Sequence, residues 1–280
     1  MMNQTEFNLY YSNKEVMFEI IKCLKNKEVA LFGDKFVRCI IADNKYYLDS
    51  NFKRFDFNKT INNVYYSLAN YDWNKMRKEL GFSCFSFEPN KRKEQMTKFN
   101  ETSDKFIKSY DLGIDFDNHD GDNYTQVYED CKKLKEYFDN YQIPYTLKTS
   151  GSGFHIEVKA NNLPKSIKET TDINEQVKKI GILMADIKLI LDLETMDIGD
   201  DGEFYEPRRV FKVPYTLDYK TGVVALPLND YEFNSVSTKE RLAAYCSIKT
   251  VSLMNLFNRG LLERHGSDEG FDNFVKEVIN

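Results

Sequence analysis

Residues 110–117 read Y-D-L-G-I-D-F-D and residues 147–158 read L-K-T-S-G-S-G-F-H-I-E-V. In the first run Leu112, Ile114 and Phe116 alternate with Asp115 and Asp117, the period of a β-strand, so the two carboxylates leave from one face. Asp111 reads as an ordinary solvated acid. In the second run the turn Ser150 to Gly153 joins two β-like segments, I-P-Y-T-L-K and F-H-I-E-V-K, and sets His155 near the start of the later one. Between the runs Val127, Cys131, Leu134, Phe138 and Tyr141 recur at steps of 4, 3, 4 and 3, an amphipathic helix. Downstream, Asp172 and Glu175 form a capping pair for a second helix, with Ile173, Val177, Ile180, Met184, Ile187 and Leu191 on one face. A dense acidic turn, M-D-I-G-D-D-G-E, and the run R-R-V-F-K-V-P-Y-T-L follow. The order β-α-β-β-α-β predicts an α+β fold with an RRM-like, ferredoxin-like unit.

Working outward, the upstream chain reads as a smaller α/β lobe. Val16, Ile20, Ile21 and Leu24 give a helix after a Ser12-Asn13 cap, and V-A-L-F, F-V-R-C-I-I-A and Y-Y-L read as a small sheet with Arg38 in its second strand. Segments 61–70 and 82–87 flank a helix expected over Trp73 to Leu80. Pro89 to Lys98 is polar and basic, with Lys91, Arg92 and Lys93 in succession, and reads as a loop, either solvated or facing nucleic acid. Helical spacing is expected from Met96 to Lys108. The predicted organisation is therefore two-lobed: residues 1–108, a catalytic lobe over 109–236, and a helical C-terminal segment over 237–280.

Composition bounds the function classes. The 280 residues are 41% hydrophobic and 30% charged, with no run of eighteen apolar residues, so a soluble globular chain without membrane association is expected. The first residues carry neither a basic start nor an apolar core, and an intracellular protein is the expectation. Five scattered cysteines form no C-x-x-C pair, which predicts no structural zinc. A net charge of −5 argues against a uniformly basic coat but allows a local basic groove.

Each motif has a plain reading. The D-x-D pair fits surface alternation, but its strand is otherwise strongly apolar, and carboxylates at the end of a buried strand are costly unless a cation compensates them. Hard oxygen ligands favour magnesium or manganese. The S-G-S-G-F-H turn fits an ordinary hairpin loop with His155 in the core. It equally fits an anion cradle of small residues, with the Ser150 and Ser152 hydroxyls beside backbone amides. Arg209, Lys212 and Lys220 fit a solvated edge or a basic rim converging on phosphate.

Taken in order, I-D-F-D, S-G-S-G-F-H and R-V-F-K-V-P-Y-T-L-D-Y-K-T-G resemble the three blocks of the archaeo-eukaryotic primase superfamily, the catalytic primase subunits and primase-polymerases. Upstream, K-E-V-A-L-F, V-R-C and N-V-Y-Y-S-L are similar to the family's early segments, and the resemblance runs from Leu9 to Leu228. It implies a nucleotidyltransferase that synthesises primers on a single-stranded DNA template from NTPs, dNTPs or both. Asp115, Asp117 and Asp201 would hold two divalent cations, Mg2+ or Mn2+, about 4 Å apart. Asp201 best matches the family spacing to Arg209, ahead of Asp197, with Asp200 also available. Ser150, Ser152, His155 and Arg209 would hold the triphosphate, with Lys148, Lys212, Lys220 and Arg38 as further candidates. A large primase subunit or another replication protein is an implied partner. Lys212 and Asp218 depart from the family pattern, and nothing here builds the zinc knuckle of many primase subunits. A gap-filling repair polymerase of the same superfamily and a non-catalytic single-stranded DNA-binding module are the rival readings. The carboxylate pair counts against the second, because DNA binding gains nothing from added negative charge. A rolling-circle nuclease is disfavoured because His155 is not in an H-x-H pair.

Overall fold

The computed structural model of the chain describes residues 9–32, 37–40, 63–82, 85–86, 88–117, 123–198, 208–254, 256, 259 and 261–279; of residues 31 and 37–40 only the backbone is described. The fold is α+β. Its first half opens with α1 (Lys14–Cys23), whose N-terminus is capped by the Asn13 side chain and whose buried face carries Val16, Ile20 and Ile21. Strands β1 (Glu28–Phe32), β2 (Val37–Ile40) and β3 (Asn63–Ser67) are antiparallel, with β1 in the middle. Strand β4 (Ala69–Tyr71) leads into α2 (Trp73–Leu80), capped by Asp72 and stopped by Gly81 in the left-handed region. The segment expected as Y-Y-L and its turn lies outside the described residues.

Two expectations need correction. Pro89 to Lys98 is not a loop but most of α3 (Pro89–Thr102), where Pro89 occupies a first-turn position that needs no N–H donor. Lys91 and Lys93 are exposed and only Phe99 of that helix is buried. Helical structure also stops before Lys108. A short 3₁₀ turn over Ser103–Phe106 gives way to β5 (Ile107–Tyr110), which pairs antiparallel with β4. A strand partner there overrides the helical spacing. The described part of 82–87 forms no strand, and Phe85 instead packs against Phe82 and Phe99.

The second half follows the predicted order: β6 (Leu112–Phe116), α4 (Tyr124–Asn140), β7 (Thr146–Thr149), β8 (Phe154–Val158), α5 (Ile173–Ile190) and β9 (Met196–Asp197). The sheet order is β7-β8-β6-β9 and every pairing is antiparallel, the arrangement of a ferredoxin-like unit. Both helices begin where the side chains dictate: Asn123 accepts from the Gln126 amide, and Asp172 from the Asn174 and Glu175 amides. The buried residues Val127, Cys131, Leu134 and Phe138 of α4, and Val177, Ile180, Met184 and Ile187 of α5, are those of the 4-3 repeat.

Beyond α5 the chain crosses back over the division expected at residue 108. Strand β10 (Val210–Lys212) adds to β3, giving the first sheet the order β10-β3-β1-β2. Buried apolar residues from Tyr10 to Phe274 form one continuous cluster. The C-terminal segment is helical, with α6 (Asp230–Ser235), α7 (Lys239–Tyr245), α8 (Ile248–Leu253) and α9 (Gly270–Phe274), whose Phe271 and Phe274 rings pack on Phe138 of α4. Among the described residues no helix is long and apolar enough to cross a membrane.

Candidate functional site

Strand β6 divides its side chains by parity. Leu112, Ile114 and Phe116 are wholly buried, and the even positions 154, 156 and 158 of β8 are the matching apolar residues. The opposite face carries the odd positions of the stretch 111–117: Asp111, Gly113, Asp115 and Asp117. This face meets the first sheet. At its centre a methyl group on Gly113 would lie 2.8 Å from the Phe211 ring and 3.0 Å from Leu68, so glycine is what lets the two sheets approach.

The two ends of this face differ. At the entrance Asp111 is buried, which corrects the expectation of a solvated acid. Its Oδ2 lies 2.9 Å from Lys27 Nζ and 3.2 Å from Lys159 Nζ, while Oδ1 accepts from the Ala160 amide and the Asn70 side chain. Burial pushes the Asp111 carboxyl up, but Lys27 and Lys159 outweigh it and hold it well below the usual carboxylate range. Beside it Lys148 Nζ is paired with Glu157, which also accepts from the Tyr66 hydroxyl. Burial opposes ionisation of Glu157, and Lys148 restores it, leaving the carboxyl below its ordinary range.

At the far end the hydrogen bonding is incomplete. Register aligns Asp115 with His155 of β8 on one side and with Asp197 of β9 on the other, so three ionisable side chains share one row across the sheet. His155 Nε2 lies 3.3 Å from Asp115 Oδ1, yet Asp115 Oδ1 and His155 Nδ1 are both buried without a hydrogen-bond partner among the described residues. The His155 ring is fixed by an edge contact with Phe211, centroids 4.7 Å apart. Asp197 lies 3.9 Å from an Arg209 guanidinium nitrogen. Its strand is anchored by buried Asp130, which accepts from the Thr195 amide and hydroxyl at 2.7 and 2.8 Å, and by Lys188, which donates to the Met196 carbonyl at 2.6 Å. Burial pushes the Asp115 carboxyl up, but His155, then Arg209 and Lys212, hold it below the ordinary value. Asp115 is thus an anion with two acid neighbours along strand and sheet, Asp117 and Asp197.

The glycine turn closes against this end. Ser150 and Gly153 bond each other through their backbones at 2.9 Å, and the Ser150 hydroxyl accepts from the Gly153 amide at 3.1 Å. A methyl on Gly153 would fall 1.9 Å from the Phe116 carbonyl oxygen, and one on Gly151, whose φ is +118°, would fall 2.7 Å from Asp218 Cβ. The turn is therefore pressed between the end of β6 and the turn after β10. Asp218 in turn is paired with Lys212, and its other oxygen accepts from the Lys220 and Thr221 amides.

The structure sets Asp115 beside His155 and in register with Asp197, which lies near Arg209; Asp117 is two residues along the same strand end, and Ser150 and the exposed Ser152 are on the adjoining turn. Lys148 is a correction: its ammonium is consumed by Glu157 and Tyr66 between the sheets rather than offered to a triphosphate. Lys212 is buried against Asp218, and Lys220 is exposed on the outer side of that turn. Asp200 and Asp201 lie outside the described residues. The Arg38 side chain does too, although the strand registers align its backbone with Ala30, Tyr65 and Lys212. Tyr65 is the residue the sequence reading did not single out. Burial, with Asp218 and Asp115 nearby, pushes its phenol up to about 12, and the Lys212 ammonium lies 5.9 Å from its ring centre. Its signal was the tyrosine pair in the N-V-Y-Y-S-L run, Tyr65 and Tyr66, which point to opposite faces of β3. Among the described residues no group of three or more His, Cys, Asp or Glu forms a ready metal cage.

No family model matches the chain, and no curated protein matches it. Among solved structures it is similar to the polymerase domain from Mycobacterium tuberculosis Ligase D in complex with DNA, at 8% identity and a TM-score of 0.46, over 99% of this chain and 90% of that one.

Proposed function

We propose that the chain is a template-directed nucleotidyltransferase that synthesises primers on single-stranded DNA. The observation that carries this reading is the unbalanced acid row: Asp115 with a buried, unpartnered oxygen, aligned with Asp197 and two residues from Asp117, beside a glycine turn and Arg209. A lone buried carboxylate oxygen is costly without a cation, and three carboxylates supply the hard donors that Mg2+ or Mn2+ prefers. Those residues supply the donor chemistry a divalent cation needs, although among the described residues they are not already gathered into a cage. The register supports Asp197 as the third acid; Asp201 lies outside the described residues.

In this reading Asp115, Asp117 and Asp197 hold the metal. When bound, a divalent cation lowers the pKa of an attacking hydroxyl and offsets charge on a leaving pyrophosphate. The remaining work belongs to the chain. Arg209 neutralises triphosphate oxygens and is held at the site by Asp197 and by its own carbonyl, which accepts from the Leu68 amide. In the turn the Ser150 and Gly153 amides are spent on each other, so the Gly151 and Ser152 N–H groups are the ones it offers to an anion beside the strand end. His155, locked by Phe211, keeps Asp115 oriented and shields it from bulk water. The reaction joins a 3′ oxygen to the α-phosphorus of the incoming nucleotide and releases pyrophosphate, with the hydroxyl proton passing to solvent. Little covalent help is required, so positioning and electrostatics dominate.

The test is incorporation of labelled NTPs and dNTPs on an unprimed single-stranded circle with Mg2+ or Mn2+, wild type against Asp115→Asn. Template-dependent products from the wild type, lost in the variant, are expected. Extension of a primed gap without synthesis on the circle would move the assignment to an end-extending repair polymerase, and equal products from both proteins would remove it.

A further inference from the structure

The turn Asp218 to Gly222 has two sides. Its inner side presses on Gly151 of the glycine turn, as shown by the 2.7 Å approach of Asp218 to a methyl there. Its outer side floors a groove of about 710 Å³, walled by the segment around Asn13 and by α8. That volume lies within the roughly 300–1,000 Å³ of ordinary ligand sites. The walls are fixed: the Tyr10 hydroxyl donates to the Tyr215 carbonyl at 2.8 Å, and the Val224 amide donates to the Cys246 carbonyl at 2.8 Å.

The lining is cationic and hydroxylic. Lys220 and Lys249 both face the groove, both are exposed, and neither ammonium is held by an ion pair among the described residues. Among the described residues no Asp or Glu lines it. Thr221 and Ser247 spend their hydroxyls locally, on Asp218 and on the Thr250 amide, so Lys220, Lys249 and the exposed Ser252 are the groups left to meet a ligand. Two uncompensated ammoniums in a concave, acid-free surface select phosphate oxygens by charge, and they do so without reading bases.

We infer that this groove binds the phosphodiester backbone of a single-stranded nucleic acid and leads it over the Asp218 turn toward the acid row. The identity of the strand rests on the nucleotidyl-transfer reading; the groove itself does not. The occupant is a strand rather than a free nucleotide because the groove lies outside the turn that faces the acids, with the Lys212–Asp218 pair between them. Lys220, expected from sequence to join the triphosphate rim, belongs to the strand path instead.

The test is fluorescence anisotropy with a labelled 20-residue oligothymidylate in chelator-containing buffer, across a salt series. Wild type is compared with Lys220→Gln, Lys249→Gln and the double variant, each checked by its thermal melt. Each single change is expected to weaken binding by about 3- to 10-fold, and the salt slope to fall by about 0.7 for each lysine removed. Wild-type affinity and slope in the double variant would overturn the groove. So would loss of free NTP binding in Lys249→Gln with oligonucleotide binding unchanged, since the groove would then serve the nucleotide. Because no divalent ion is present, the titration reads the groove even if the wild type incorporates no nucleotide, and incorporation by the wild type stands even if the groove fails.

Discussion

Asp111 and Asp115 stand on the same face of the same stretch of chain, and their surroundings are opposite. Asp111 is enclosed by Lys27, Lys159, Asn70 and the Ala160 amide, every oxygen satisfied. Asp115 leaves an oxygen unpartnered and has acids along its strand and across its sheet. Gly113 stands between them at the closest approach of the two sheets. The difference teaches that a carboxylate serves structure when the fold satisfies every one of its oxygens, and is left open to chemistry when the fold supplies countercharge but leaves an oxygen without a hydrogen bond.

The comparison breaks most visibly at its structural end. Asp111→Asn leaves the buried Lys27 and the half-buried Lys159 ammoniums without their anion and is expected to cost about 3–5 kcal/mol in chemical denaturation; a loss below about 1 kcal/mol would mean the cluster is not the clamp described. Gly113→Ala pushes a methyl into Phe211 and is expected to cost about 1–3 kcal/mol, with relief when Phe211 is shortened to Leu in the same chain. Absence of such coupling would count against the tight sheet contact. At the other end His155, Arg209 and Lys212 favour the Asp115 carboxylate, but the side chain is partly exposed and no oxygen is enclosed as those of Asp111 are, so Asp115→Asn is expected to cost about 1 kcal/mol or less. A fall as large as that of Asp111→Asn would make the two ends alike.

Proton titration sharpens the same contrast. The Asp111 carboxyl is held below its unfolded value of about 4. A depressed carboxylate contributes stability above the unfolded value and loses it as pH falls through the folded one. The stability gap between wild type and Asp111→Asn should therefore be full at pH 7 and close progressively below about pH 4. A gap that is constant with pH would show that the loss came from packing and not from charge.

How much of this could be read from the chain follows from the range of each interaction. The strand alternation around Asp115 and the 4-3 repeats of α4 and α5 are local, and they gave the β-α-β-β-α-β order. The first part of α3 was read as a loop because its charged residues outnumber the single buried position of the helix, Phe99, so the pattern resembled a solvated segment. The fate of Asp111 was hidden because Lys27 is 84 residues away and Lys159 is 48. Lys148 looked like a phosphate ligand for the same reason, its partner Glu157 sitting on the adjacent strand. Spacing along the chain favoured Asp201, which lies outside the described residues, and strand register, which spacing does not encode, adds Asp197 by aligning it with Asp115.

The claim that the unbalanced end is a divalent-cation site is tested most directly by the thermal midpoint with and without Mn2+. Wild type should gain several degrees at saturating Mn2+, as any ligand bound to the native state alone requires. Asp115→Asn and Asp197→Asn should lose that gain while melting near the wild-type temperature in its absence. The same Mn2+ shift in all three proteins would contradict the account.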